Sequence, residues 1–233
     1  MGGEVPGALP PLSPEMLAPP RFSTLRTTSY AAIAARGFNM GKLFDNLGLV
    51  PAIGLAVAIL IAVFPDSGYR PPTGDLWNGV LQWLHVFFGI VWIGLLYYFN
   101  FVQIPTMPTV PAELKPGVSK YIAPKALFYF RWGAAFTVLT GALLAWSYGE
   151  LVEGLTLQAD YRLIGIGMWL ALIMAFNVWF IIWPNQQKIL GLVEATAEQK
   201  AAAAKPALYA SRFNTMFSIG MLYCMVAQQS API

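Results

Sequence analysis

A single histidine, a single cysteine and a short set of amides and arginines embedded in apolar sequence are the side chains of this 233-residue chain best suited to chemistry. His85 is the one side chain whose ordinary titration range lies near neutral pH. On a helix advancing about 100° per residue, Asn78, Gln82, Gly89, Asn100 and Gln103 fall within roughly 60° of His85, and Trp92 and Leu96 complete the stripe. Polar side chains are costly in lipid, so this face is expected to turn toward other helices or a ligand. The imidazole could ligate haem, bond a quinone, relay a proton, or bond a neighbouring helix through its ring nitrogens. With one histidine, bis-histidine haem within the chain is excluded, and a His/Met pair would need Met174, Met221 or Met225 at the same depth. A structural hydrogen bond is the expectation, with His85 the residue to meet haem or quinone if either binds.

A second polar group is expected at a different depth. Arg131, Asn177, Asn185, Gln186, Arg212 and Asn214 gather with Asn100 and Gln103 at one level of the membrane, and they are the ligand-binding candidates. The two arginines have no acidic partner in these spans, which suits an anionic ligand, a lipid phosphate or the carbonyl ends of helices. Snorkelling to the headgroups would serve them equally. Cys224 and His85 alone cannot build a disulfide framework or a Cys/His metal site, and no Cys-x-x-Cys-His motif is present for c-type haem. No metal and no resident cofactor are expected.

The elements that must position these residues follow from the scarcity of charge. Only 14 Lys/Arg and 11 Asp/Glu occur among 233 residues that are 57% hydrophobic, where a soluble domain carries about 25% charged residues. Five apolar stretches, 47–64, 76–104, 126–146, 163–183 and 213–227, read as transmembrane helices of an all-α polytopic bundle. The last is diluted by Asn214, Ser218 and Gly220. Pro105, Pro116, Pro184 and Pro206 read as loop or end markers.

Loop charges set an orientation. Arg21, Arg26, Arg36 and Lys42, then Lys115, Lys120 and Lys125, then Lys188, Lys200, Lys205 and Arg212 all fall on one side of such a bundle. Arg70 and Arg162 fall on the other, among Asp66, Asp75, Glu150, Glu153 and Asp160. The positive-inside rule then predicts the N-terminus inside and the C-terminus outside. A net charge of +3 is too small and dispersed to suggest nucleic acid.

Residues 1–45 form a separate Pro-rich, basic extension before the helical domain of 46–233. Its first twenty residues hold six prolines, and 16–44 contain no acidic residue. The Arg-bearing, Ser/Thr-rich run from Arg21 to Asn39 has the composition of a mitochondrial targeting segment. The Ala-rich run 195–205 predicts a short interfacial helix joining the fourth and fifth spans. Trp77, Trp83, Trp146, Trp179 and Trp183 sit near span ends, as interfacial anchors do.

Particular strings carry a resemblance: 84–101 (LHVFFGIVWIGLLYYFNF), 130–134 (FRWGA), 177–190 (NVWFIIWPNQQKIL) and 211–215 (SRFNT). They resemble the N-terminal membrane domain of PuuD-type urate oxidases, the cytochrome-linked urate hydroxylases, over roughly 76–225. Arg131, Asn177, Asn185, Gln186, Arg212 and Asn214 match family positions. The resemblance implies an inner-membrane protein, mitochondrial or bacterial, whose relatives pass electrons from urate to a C-terminal cytochrome c domain. This sequence resembles a short stand-alone form without that domain. Two functions are therefore expected in order: a non-catalytic accessory subunit of a respiratory-chain complex, in contact with the bilayer and other membrane subunits, or a urate oxidoreductase subunit that needs a separate cytochrome or quinone.

Overall fold

The computed structural model describes residues 46, 48–63 and 76–230, and every regular element among them is helical. The expectations for residues 1–45, and those resting on Asp66, Arg70 and Asp75, lie outside the described residues. The chain divides into two compact units, Met1–Tyr69 and Arg70–Ile233. In the first, α1 (Leu49–Val63) starts at Asn46, whose Oδ1 accepts from the backbone N–H of Gly48 at 3.0 Å and of Leu49 at 3.3 Å. Such a cap satisfies donors that the helix itself leaves open.

The second unit is a four-helix bundle with one short corner helix. Its long members are α2 (Leu76–Thr106), α3 (Lys115–Ser147), α5 (Ala159–Ile189) and α6 (Ala197–Ser230), and α4 (Leu151–Leu155) packs at the turn into α5. Each long helix touches two others, in the ring α2, α3, α5, α6. The core is drawn from all four: Trp92, Leu96 and Phe99 of α2, Leu127 and Phe130 of α3, Met174, Val178 and Ile182 of α5, and Ala210 and Met221 of α6.

Three of these helices, α2, α3 and α5, are long and apolar enough to cross a bilayer, and α1 is a shorter apolar helix. Their outer faces are lined with large apolar side chains, among them Phe87 and Ile90, Leu139 and Trp146, and Phe176 and Phe180, all exposed. Surfaces this apolar mark contact with lipid or protein rather than water. In α6 the same inversion holds: Phe213, Met216, Ile219, Tyr223 and Val226 face outward, while Ser211, Asn214 and Ser218 are buried.

Several boundaries differ from those expected. The helices run past the apolar stretches, α3 beginning at Lys115 rather than near 126 and α5 continuing to Ile189. The separate interfacial helix does not form; the Ala-rich run and the fifth stretch are one 34-residue helix. Nothing between them breaks the helix except Pro206, which removes one N–H, and the Ala-rich sequence carries the helix across it. Its start is fixed by a capping box: Gln199 N–H donates to Thr196 Oγ1 at 3.3 Å, and Thr196 N–H to Gln199 Oε1 at 2.9 Å.

Pro105, Pro116, Pro184 and Pro206 also lie inside helical runs rather than outside them. Three π-helical stretches, Tyr98–Gln103, Val118–Ile122 and Asn177–Ile182, each end directly before an X-Pro pair: Ile104-Pro105, Ala123-Pro124 and Trp183-Pro184. A proline ring presses on the carbonyl four residues back and gives it no hydrogen bond. Widening the preceding turn moves that carbonyl aside and lets the helix continue. All three widened turns lie at the same end of the bundle, the end that carries the 106–115 and 189–197 connections.

Candidate functional site

The polar residues of α2 meet two different partners along its length. Near its start, Asn78 is buried and its Oδ1 accepts from Ser147 Oγ of α3 at 2.5 Å. One level on, His85 Nδ1 lies 2.9 Å from the backbone oxygen of Thr137, an acceptor, so the ring donates from Nδ1. The approach of α2 and α3 depends on small residues. A Cβ on Gly141 would lie 2.6 Å from His85 Cε1, and one on Gly133 would lie 3.2 Å from the backbone nitrogen of Trp92. Gly133, Thr137 and Gly141 recur every fourth residue, the spacing that lets membrane helices pack backbone to backbone. Gln82 is half-buried on the same helix.

Toward the other end, α2 turns its polar face to α6. Tyr97 Oη pairs with Ser218 Oγ at 2.9 Å, and Asn100 Nδ2 donates to Ser211 Oγ at 2.7 Å and to its own helix at Leu96 O at 2.9 Å. From the other side α5 joins in: Asn177 Nδ2 donates to Asn214 Oδ1, and Asn214 Nδ2 to Met174 O, both at 2.9 Å. Asn214 and Ser218 are completely buried. Ser211, Asn214 and Ser218 thus form a ladder on one face of α6, each rung tied to α2 or α5.

The ligand-binding candidates are therefore only partly gathered. Asn100, Asn177 and Asn214 share this ladder, and Gln103 lies one turn beyond Asn100 in the same widened segment. Asn185 is half-buried and donates to Ile181 O of its own helix at 2.7 Å. Gln186 is half-buried at the end of α5, and Arg212 is exposed on a different face of α6 from Asn214. Arg131 meets aromatic rings rather than the amides of the ladder. Its guanidinium carbon lies 3.3 Å from the centroid of the Trp183 ring and 5.5 Å from that of Trp179, and Nε donates to Leu127 O at 3.3 Å. Stacking on indole stabilises a guanidinium without a counter-charge.

Among the described residues, three buried side-chain atoms have no hydrogen-bond partner: Trp92 Nε1, Asn100 Oδ1 and Gln103 Oε1. Both amide oxygens belong to the widened end of α2. No cluster of His, Cys, Asp and Glu able to hold a metal occurs among the described residues.

Five contributors were not expected from sequence: Tyr97, Thr137, Ser147, Ser211 and Ser218. Ser211 and Ser218 carried a signal, since with Asn214 they recur at helical spacing on the face opposite the large apolar residues. Thr137 acts through its backbone, which leaves no trace in residue type.

Residues 152–231 match the family model described as urate oxidase N-terminal. The match is consistent with a member of the PuuD-type urate oxidase N-terminal domain family, as the resemblance of the quoted strings implies. It covers most of α4, and α5 and α6, and so includes Asn177, Asn185, Gln186, Arg212 and Asn214. Arg131, Asn100, Gln103 and His85 precede the matched region. No curated protein and no solved structure matches the chain. The match and the apolar helices are together compatible with a membrane protein related to urate oxidase domains.

Proposed function

We propose that this protein is a non-catalytic accessory subunit of a respiratory-chain complex, held in an inner membrane by its helical bundle. The observation that carries this reading is how the buried amides are used. Asn100, Asn177 and Asn214 bond across helices to Ser211, to each other and to a backbone carbonyl, so their donors serve bundle assembly rather than a substrate. The transit-like composition of 21–39 supports a mitochondrial inner membrane, and the positive-inside distribution supports five spans with the N-terminus inside. The exposed apolar faces of α2, α3 and α5 give both lipid and partner helices a surface to pack against.

The test is native electrophoresis of membranes solubilised in mild detergent, with the protein tagged at either end. Co-migration with a cytochrome-containing complex is the expected result. A protein that migrates alone and, once purified, reduces added cytochrome c when urate is supplied would overturn this reading.

A second reading rests on one specific observation. Asn100 Oδ1 and Gln103 Oε1 are buried acceptors without donors, and a purine could supply N–H groups to both. In that case the chain is the urate-binding part of an oxidoreductase whose electrons pass to a separate cytochrome or quinone. Urate binding to the purified protein, measured by calorimetry and lost in Gln103→Leu, would favour it.

A further inference from the structure

An apolar cleft of about 310 Å³ opens between α3 and α5, lined by Ala135 and Val138 on one side and by Leu172, Ala175, Phe176 and Trp179 on the other. Arg131 sits at its head. Ala135 and Val138 follow Arg131 by about one and two helical turns and so continue its face of α3 downward, over roughly 10 Å. Trp179 belongs to both places, closing the end of the cleft and carrying the Arg131 guanidinium 5.5 Å from its ring centroid.

The charge at this head leans toward the end of the bundle where α3 begins and α5 ends. A helical side chain leans toward the N-terminus of its helix, and the Nε bond to Leu127 O shows Arg131 doing so. This leaning carries the guanidinium away from the cleft floor and onto Trp183, next to the polar run Asn185-Gln186-Gln187-Lys188 that ends α5. One side of the guanidinium faces indole, Nε is used, and no carboxylate pairs with it among the described residues. The terminal nitrogens keep their donors for an outside acceptor. Below it, Phe176 and Phe180 stack at 4.8 Å between centroids and project from the bundle as one wall of the cleft.

A cation with open donors above an apolar trough, on the side of the apolar stretch nearer Lys125 of α3 and Lys188 of α5, has the polarity of an anionic phospholipid. We propose that the cleft between α3 and α5 binds one such lipid, its phosphate against Arg131 and one acyl chain along Ala135, Val138, Leu172 and Ala175. Free phosphate shares the headgroup chemistry but would leave the trough unused, and a zwitterionic lipid would use the trough with less gain at the guanidinium. The site does not depend on whether the protein is an accessory subunit or a urate-linked one.

Native mass spectrometry of the full-length protein in mild detergent tests this with dioleoyl phosphatidylglycerol, dioleoyl phosphatidylcholine and inorganic phosphate. One phosphatidylglycerol should be retained about tenfold more strongly than phosphatidylcholine, as expected for one charge-assisted contact, and millimolar phosphate should not displace it. Arg131→Gln should erase the preference between the two lipids, and Ala135→Phe should lower retention of phosphatidylglycerol by filling the trough while leaving the guanidinium in place. Equal retention of the two lipids by the unaltered protein would overturn the proposal even if neither variant folds. So would displacement by phosphate, or an Arg131→Gln protein that keeps the preference.

Discussion

Two seams hold the bundle together, and they do so by different means. Between α2 and α3 the helices approach until small residues touch side chains and backbone, and the polar bonds are few: Asn78 to Ser147 and His85 to the Thr137 carbonyl. Between α6 and its neighbours α2 and α5, paired amides and hydroxyls repeat along one face. In lipid, apolar side chains gain little by leaving a solvent as apolar as themselves, so helices associate through close packing or through polar bonds. The first seam draws mainly on packing and the second mainly on bonds. Shape errors should therefore damage the first and polarity errors the second.

The largest expected effect is at Gly141. Any Cβ there meets the His85 ring, which can withdraw only by breaking its bond to Thr137, so Gly141→Leu should cost about 2–3 kcal/mol and lower the melting temperature in detergent markedly. If the variant melts with the parent, the first seam is looser than described. Next is Asn214→Leu, which strands Asn177 Nδ2 in the interior and leaves Met174 O only its bond from the Asn177 backbone N–H; about 1–2 kcal/mol is expected. Adding Asn177→Leu should recover part of that loss, and a double-mutant cycle on the unfolding transition measures how much. Full additivity would mean the two amides do not couple.

A smaller change should follow Tyr97→Phe, which removes one bond to Ser218 while that serine keeps its bond to Thr215 O. About 0.5 kcal/mol is expected. A loss equal to that of Asn214→Leu would show the ladder to be evenly loaded rather than centred on Asn214.

The smallest effect lies outside both seams and serves as their control. Burial, and then the neighbouring Glu153, raise the Glu150 carboxyl above its ordinary range. A raised acid favours folding at low pH, and that contribution fades as pH climbs from the ordinary carboxylate range through the raised value. Glu150→Gln should flatten this slight decline while leaving the Gly141 and Asn214 effects unchanged. A pH response that persists in Glu150→Gln would have to come from another group.

Much of this arrangement was legible in the residues themselves. The scarcity of charge announced helices long and apolar enough to cross a bilayer, of which the structure has three among the described residues, because a charged side chain is costly in hydrocarbon. Spacing on a helix groups Asn78, Gln82 and His85 on one face of α2, but that the residues beyond Tyr97 turn to α6 was not in the spacing. The quoted strings already resembled the family that residues 152–231 match. Continuity was harder to see. Prolines look like ends in a sequence, whereas here widened turns before Pro105, Pro124 and Pro184 carry the helices through. The adjustment is made by backbone carbonyls, which no residue type encodes.

What the sequence by itself determined is local: which stretches are apolar and which side chains of one helix share a face. Partners were decided only by tertiary structure. Arg131, Arg212 and Asn214 looked equivalent as polar residues near one depth, yet one stacks on Trp183, one is exposed and one is buried between Asn177 and Met174. The physical reason is that a hydrogen bond between helices requires matching rotation and register of two segments distant in the chain. Those are set by how all four helices pack, not by the spacing of residues along any one of them.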